Sequence, residues 1–125
     1  MDSNLALERL INEANLLLVS AEQELQKPQK EMMSFAVCQN AKLSMVMLLK
    51  AYLEKHKIEV SENDNLVQLY EKCRAYSPAF DAVAIHEMDC VSDKHCSMAE
   101  YCIDSGYVME CVDKAKVIRK ILYQP

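Results

Sequence analysis

The side chains best suited to chemistry in this chain crowd between residues 86 and 102, where His86, Asp89, Cys90, His95, Cys96 and Cys102 fall. Histidine with cysteine suggests either a metal ion or a thiol nucleophile, and spacing tests both. His86 and Cys90 stand four apart, a separation that puts two side chains on one face of a helix. Structural zinc sites usually add a Cys-x-x-Cys pair, and the chain has none, so no metal is expected and the cysteines read as scattered core residues. A cysteine nucleophile needs a histidine base beside a thiol of lowered pKa. Cys96 follows His95 directly, but neighbours on a helix point about 100° apart, so adjacency does not make a pair. His86, Asp89 and His95 are the polar groups on which an active site would draw, provided the fold gathers them into one pocket beside a base or a cation.

Other chemistries lack their parts. With Gly106 the only glycine, neither a phosphate-cradling loop nor a dinucleotide fingerprint can form. Glu22, Glu24, Glu54, Glu59, Glu62, Asp89 and Asp93 read as solvated faces. A di-metal site of the helical-bundle kind wants Glu three residues before His, a spacing that none of His56, His86 and His95 shows. No catalytic residue and no cofactor is expected on these grounds.

Composition narrows the class further. The chain has 125 residues, 51% hydrophobic and 26% charged, with one Gly, three Pro and eight Met. Turn formers are scarce while helix formers and adaptable core fillers abound, which predicts one all-α domain over residues 1–125. A net charge of −5 disfavours non-specific DNA binding, which needs clustered Lys and Arg. Lys114, Lys116, Arg119 and Lys120 are clustered, but cations at a helix C-terminus complement its dipole. Asp2, Glu8 and Arg9 interrupt any apolar leader, so the expected location is cytoplasmic, with reduced Cys38, Cys73, Cys102 and Cys111 in the core. No membrane span is expected, since Leu43–Leu49 is far shorter than about 20 residues and is bracketed by Lys42 and Lys50.

The elements that must position these groups follow from periodicity. Leu7, Leu10, Ile11, Ala14, Leu17, Leu18, Ala21 and Leu25 repeat at three and four, predicting an amphipathic helix from Ser3 to about Gln26. After the Gln26-Lys27-Pro28 break, Glu31–Lys57 predicts a second helix of roughly 40 Å paired with the first as an antiparallel hairpin. Phe35, Cys38, Val46, Leu49 and Leu53 mark its expected apolar track, widened by Met32, Ala36, Leu43, Met47 and Ala51. A third helix begins after a cap at Asn63 or Asp64 and buries Leu66, Leu69, Tyr70 and Cys73. Ser77-Pro78 restarts a helix to about Met88, and Ser92-Asp93 caps a short one through Ile103, unless Asp89–Ser105 is irregular. Asp104-Ser105-Gly106 is read as a turn before the final helix, Tyr107 to about Tyr123. The fold expected is an up-and-down helical bundle of four long helices plus one short helix.

In that order of helices, three phrases resemble the HEPN family (higher eukaryotes and prokaryotes nucleotide-binding). Gln39-Asn40-Ala41 leads into Leu49-Lys50-Ala51-Tyr52-Leu53, similar to the family's Leu-Lys-Ala signature, and Asp64-Asn65-Leu66-Val67-Gln68-Leu69 is similar to its His-Asp-Leu-x-x-Leu start of the third helix. The resemblance spans most of the chain. It implies an HEPN-like bundle, a homodimer, a nucleotide or partner-protein ligand and a nucleotidyltransferase partner in a toxin–antitoxin-like pair. Val46-Met47 departs from the Glu-Lys that often precedes the signature, implying a different partner-facing surface. The family's ribonucleases use an Arg followed by a His with four to six residues between, Arg for phosphate and His for the proton. Only Arg9, Arg74 and Arg119 are present. The required positions hold Ala14, Asn15 or Leu16, then Ala79, Phe80 or Asp81, then Gln124 or Pro125. A non-catalytic binding module is therefore expected over the alternative, a divergent ribonuclease acting on RNA through His86, Asp89 and His95.

Overall fold

A computed structural model describes residues 2–27, 34–83 and 105–123, and every regular element among them is helical. In chain order these are α1 (Asp2–Leu25), α2 (Ser34–Lys55), α3 (Leu66–Tyr76), a 3-10 turn (Pro78–Ala82) and α4 (Ser105–Leu122). The all-α expectation holds, with four α-helices among the described residues. The short helix expected through Ile103 lies outside them.

α1 and α2 form the expected antiparallel hairpin. Ser44 Oγ donates to the Ala14 carbonyl at 2.8 Å, and Asn40 Nδ2 to Ser20 Oγ at 3.5 Å, so numbers rise on one helix as they fall on the other. Ala14, Ala21, Ala41 and Ser44 are fully buried, and side chains this small let two helices approach until a hydroxyl can reach the facing backbone. α4 runs antiparallel to α1, fixed by Lys116–Glu22 at 3.4 Å and by Asn15, which meets both Arg119 and the Tyr123 hydroxyl. It is therefore parallel to α2, and Lys55 Nζ donates to the Leu122 carbonyl at 3.0 Å where the two helices end.

α2 is enclosed by α1, α3 and α4 together, on a face that keeps much of the expected track but is turned toward Ser44 and away from Leu43. Val37, Ala41, Ser44, Met45, Leu48 and Tyr52 join Cys38, Leu49, Ala51 and Leu53 in the core, whereas Val46 and Met47 are only partly buried and Leu43 is 45% exposed. The face is set by where the small residues permit close approach, not by where the largest apolar ones fall. Met32 and the Phe35 side chain lie outside the described residues.

Helix ends differ from expectation for local reasons. α2 stops at Lys55, two residues early, because Lys57 turns left-handed at φ 60°. The Lys57 amide then donates to Glu54 O at 3.1 Å and the Ile58 amide to Leu53 O at 2.8 Å, the paired bonds of a Schellman ending. A β-carbon in that conformation costs roughly 1–2 kcal/mol. The cap of α3 is Asn65, neither Asn63 nor Asp64: its side chain accepts from the Gln68 amide at 2.9 Å while Gln68 accepts from the Asn65 amide at 2.8 Å. This capping box fixes the first turn. Leu66, Leu69, Tyr70 and Cys73 are buried as expected, but Tyr76 is half-exposed.

The restart at Ser77-Pro78 occurs as read, with Ser77 Oγ accepting from the Ala79 amide at 3.3 Å, yet the described turn is 3-10 and not α. The Phe80 carbonyl takes the Tyr70 hydroxyl at 2.8 Å as well as the Val83 amide at 3.0 Å, which holds the turn tight. Residues 84–88 lie outside the described residues. α4 begins at Ser105, so Gly106 lies in its first turn, not in a turn before it.

Because the hairpin depends on close approach, substitutions at Ser44 should separate hydrogen bonding from volume. Ser44→Ala should cost about 1 kcal/mol by urea unfolding, since the Ala14 carbonyl keeps its helical partner. Ser44→Leu should cost about 3 kcal/mol through overfilling. Equal losses for the two would contradict the close-approach account.

Candidate functional site

His86, Asp89 and His95 lie outside the described residues, as do Cys90, Cys96 and Cys102. Among the described residues, no group of three or more His, Cys, Asp or Glu side chains could hold a metal ion. Cys38, Cys73 and Cys111 are buried and free of disulfides. Burial pushes the Cys73 thiol up to about 12, and its Sγ donates to Leu49 O at 3.7 Å. A thiol held protonated in this way is core material and a poor nucleophile.

The one histidine in the described part, His56, serves packing. Its ring lies 4.5 Å from Tyr52 and 4.5 Å from Tyr76, which themselves meet edge-on at 5.9 Å, and Tyr52 meets Phe80 edge-on at 4.7 Å. These four rings close the junction of α2, α3 and the 3-10 turn, in the tilted and edge geometries that aromatic quadrupoles favour. Burial raises the Tyr52 hydroxyl above its ordinary value, while a hydrogen bond with Ser77 pulls the other way.

Charged side chains at the same end tie loops to helices. Lys72 Nζ meets Asp64 at 2.6 Å and the Glu59 carbonyl at 3.4 Å, which pins the 58–65 loop onto α3. Asp64 also accepts from the Ser61 amide at 3.0 Å. The Lys72 hydrogen bond, aided by that amide, holds the Asp64 carboxyl below the usual carboxylate range. Arg74 bonds Asp81 at 2.7 Å and Glu71 at 3.4 Å, and Asp81 chiefly raises its already high pKa.

The same loop forms one wall of the larger of two described hollows. Where α2 ends beside the start of α1, a cavity of about 600 Å³ is lined by Leu7, Glu54, Lys55, Lys57, Ile58, Glu59 and Val60. Leu7, Ile58 and Val60 make an apolar wall and pack against the core, while Glu54, Glu59, Lys55 and Lys57 supply polar groups. The volume falls in the range of small-molecule sites, roughly 300–1,000 Å³. Lys55 is committed to the Leu122 carbonyl. A shallower cleft of about 380 Å³ lies between the 3-10 turn and α4, lined by Val83, Met109, Glu110 and Lys114 among others. There Lys114 donates to the Val83 carbonyl and pairs with Glu110 at 3.6 Å.

Sequence reading passed over the larger cavity, having placed Lys57-Ile58-Glu59-Val60 in helix and loop. The alternation of charged and apolar residues just beyond a helix end was the available signal, since it lets one side of an extended segment pack while the other stays polar.

No family model, curated protein or solved structure matches this chain. Among the described residues, no helix is long and apolar enough to cross a membrane.

The Asp64 geometry has a pH consequence. A carboxyl whose folded pKa is depressed contributes stability that is present above its unfolded value, roughly 3.9, and is lost as pH falls through the folded value. The melting-temperature gap between wild type and Asp64→Asn should therefore be constant above about pH 5 and shrink below about pH 4. A gap independent of pH in thermal melts across that range would refute the Asp64–Lys72 assignment.

Proposed function

We propose that the chain is a non-catalytic, HEPN-like helical module that binds a mononucleotide in the cavity where α2 ends. The observation that supports this most is the cavity's division of labour. Leu7, Ile58 and Val60 offer the apolar surface a base requires, Glu54 and Glu59 can accept hydrogen bonds from ribose hydroxyls or an exocyclic amine, and Lys57 can meet a phosphate. The size suits one nucleotide and not a polynucleotide track, and the net charge of −5 is wrong for holding a long phosphate backbone.

The non-catalytic part of the reading rests on the missing Arg-and-His spacing throughout the chain. Two described acid–base groups support it further, because His56 is packed in a cluster with Tyr52 and Tyr76 and Cys73 is held protonated in the core. From the resemblance come the remaining parts of the proposal, a homodimer and a nucleotidyltransferase as partner protein. A module of this kind would recognise a nucleotide and leave any chemistry to that partner.

Calorimetric titration of the full chain with nucleoside mono-, di- and triphosphates should give saturable binding at one site per chain. Val60→Arg, which fills the cavity, should abolish that binding while leaving far-UV circular dichroism unchanged. Incubation with RNA should leave it intact. Absence of binding at millimolar nucleotide would refute the reading, and RNA cleavage lost in both His86→Ala and His95→Ala would replace it with the divergent ribonuclease.

A further inference from the structure

We infer that Lys57 makes this cavity selective for a phosphorylated ligand over its unphosphorylated counterpart, an inference that rests on the nucleotide-binding reading and adds the residue on which its specificity turns. Two independent features meet at this position. One is backbone conformation: Lys57 is the single non-glycine residue at positive φ among the described residues, at the C′ position of a Schellman ending where glycine carries no steric cost. Nothing in the geometry of the ending requires a side chain there. The chain nevertheless keeps a long cationic one in a strained conformation, as happens where strain serves a site.

The other feature is the surroundings of the side chain. Lys57 is exposed, lines the cavity and has no side-chain partner among the described residues. Four lysines elsewhere in the described part pair with carboxylates: Lys27 with Glu24, Lys72 with Asp64, Lys114 with Glu110, Lys116 with Glu22. In the cavity itself Lys55 is spent on the end of α4. Lys57 is thus the cation there that is free to meet a ligand. Glu54 and Glu59 would repel a phosphate placed beside them, so an anionic group is admitted only at the Lys57 side, with its uncharged portion toward Leu7, Ile58 and Val60. The left-handed turn contributes by breaking the helix direction at this residue, separating Lys57 from the path that Glu54 and Lys55 follow.

The test compares a nucleoside with its 5′-monophosphate, each titrated into wild type, Lys57→Gly, Lys57→Gln and Lys57→Arg. Wild type should bind the monophosphate about tenfold more tightly or better, the usual worth of one charge-assisted hydrogen bond. Lys57→Gly and Lys57→Gln should erase that preference while keeping nucleoside binding, and Lys57→Arg should retain most of it. Lys57→Gly should also melt about 4 °C above wild type, so its loss of phosphate preference cannot be ascribed to misfolding. A preference that survives in Lys57→Gly would overturn the inference, as would wild type binding both ligands equally; the cavity reading stands in either case. Failure of wild type to bind either ligand would overturn the cavity reading and this inference with it.

Discussion

The architecture depends on the closeness of α1 and α2, and the bond from Ser44 Oγ to the Ala14 carbonyl measures it directly. A hydroxyl on a two-atom stem can reach a carbonyl of a facing helix only when small residues occupy the seam, as Ala14, Ala21 and Ala41 do. Once that distance is fixed, the rotation of α2 about its axis is fixed too. Leu48 and Met45 must then point inward, Leu43 must point out, and α4 is left to cover the flank that α1 does not reach. A buried hydroxyl without a partner would cost about 1–3 kcal/mol, so the seam is specified as well as stabilised. Rotating α2 to the track of its largest side chains would bury Leu43 and strand Ser44.

That rotation governs the far end of the bundle as well. With Leu53 buried, the Schellman bond from Ile58 draws the chain back against the core and starts the 58–65 loop in a defined direction. Lys72 then grips the loop at Asp64 and at the Glu59 carbonyl, and the Asn65–Gln68 box begins α3 immediately afterward. The cavity is what this tight reversal leaves between the loop and the start of α1. Its wall is held at both ends by hydrogen bonds, so the hollow is a consequence of how α2 terminates and not of a gap in core packing.

Much of the helical content was legible because it is written in apolar period: the hairpin of α1 and α2 and the buried stripe of α3 lie where the three-and-four spacing put them. Rotation was not legible. Ser44 reads as a polar interruption in an apolar run, and its burial is decided by a carbonyl thirty residues away. Helix ends were off for a similar reason, since Asn65 wins over Asp64 only because Lys72 and the Ser61 amide claim the latter. The 3-10 form of the Pro78 turn likewise follows from a tyrosine ten residues back. The cavity proved hardest. It is built from Lys57, Glu59 and apolar neighbours whose types alone suggest a solvated turn, and the chemistry-rich stretch 86–102 lies outside the described residues.

The described end of the molecule also shows why side-chain type is a poor guide to activity in a chain of this kind. His56 is packed against two tyrosine rings, and its contribution there is shape and aromatic contact. Cys73 is buried where its thiolate would be unstable, and Arg74 is spent on Asp81 and Glu71. These three residues are taken up by the problem of joining α3 and the 3-10 turn to α2. A lysine at a helix ending is the opposite case, ordinary in type and distinguished only by a backbone angle and by what it lacks around it. Among the described residues, function is accordingly better sought where the chain reverses and polar groups are left over than at His56, Cys73 and Arg74, which packing and ion pairs already occupy.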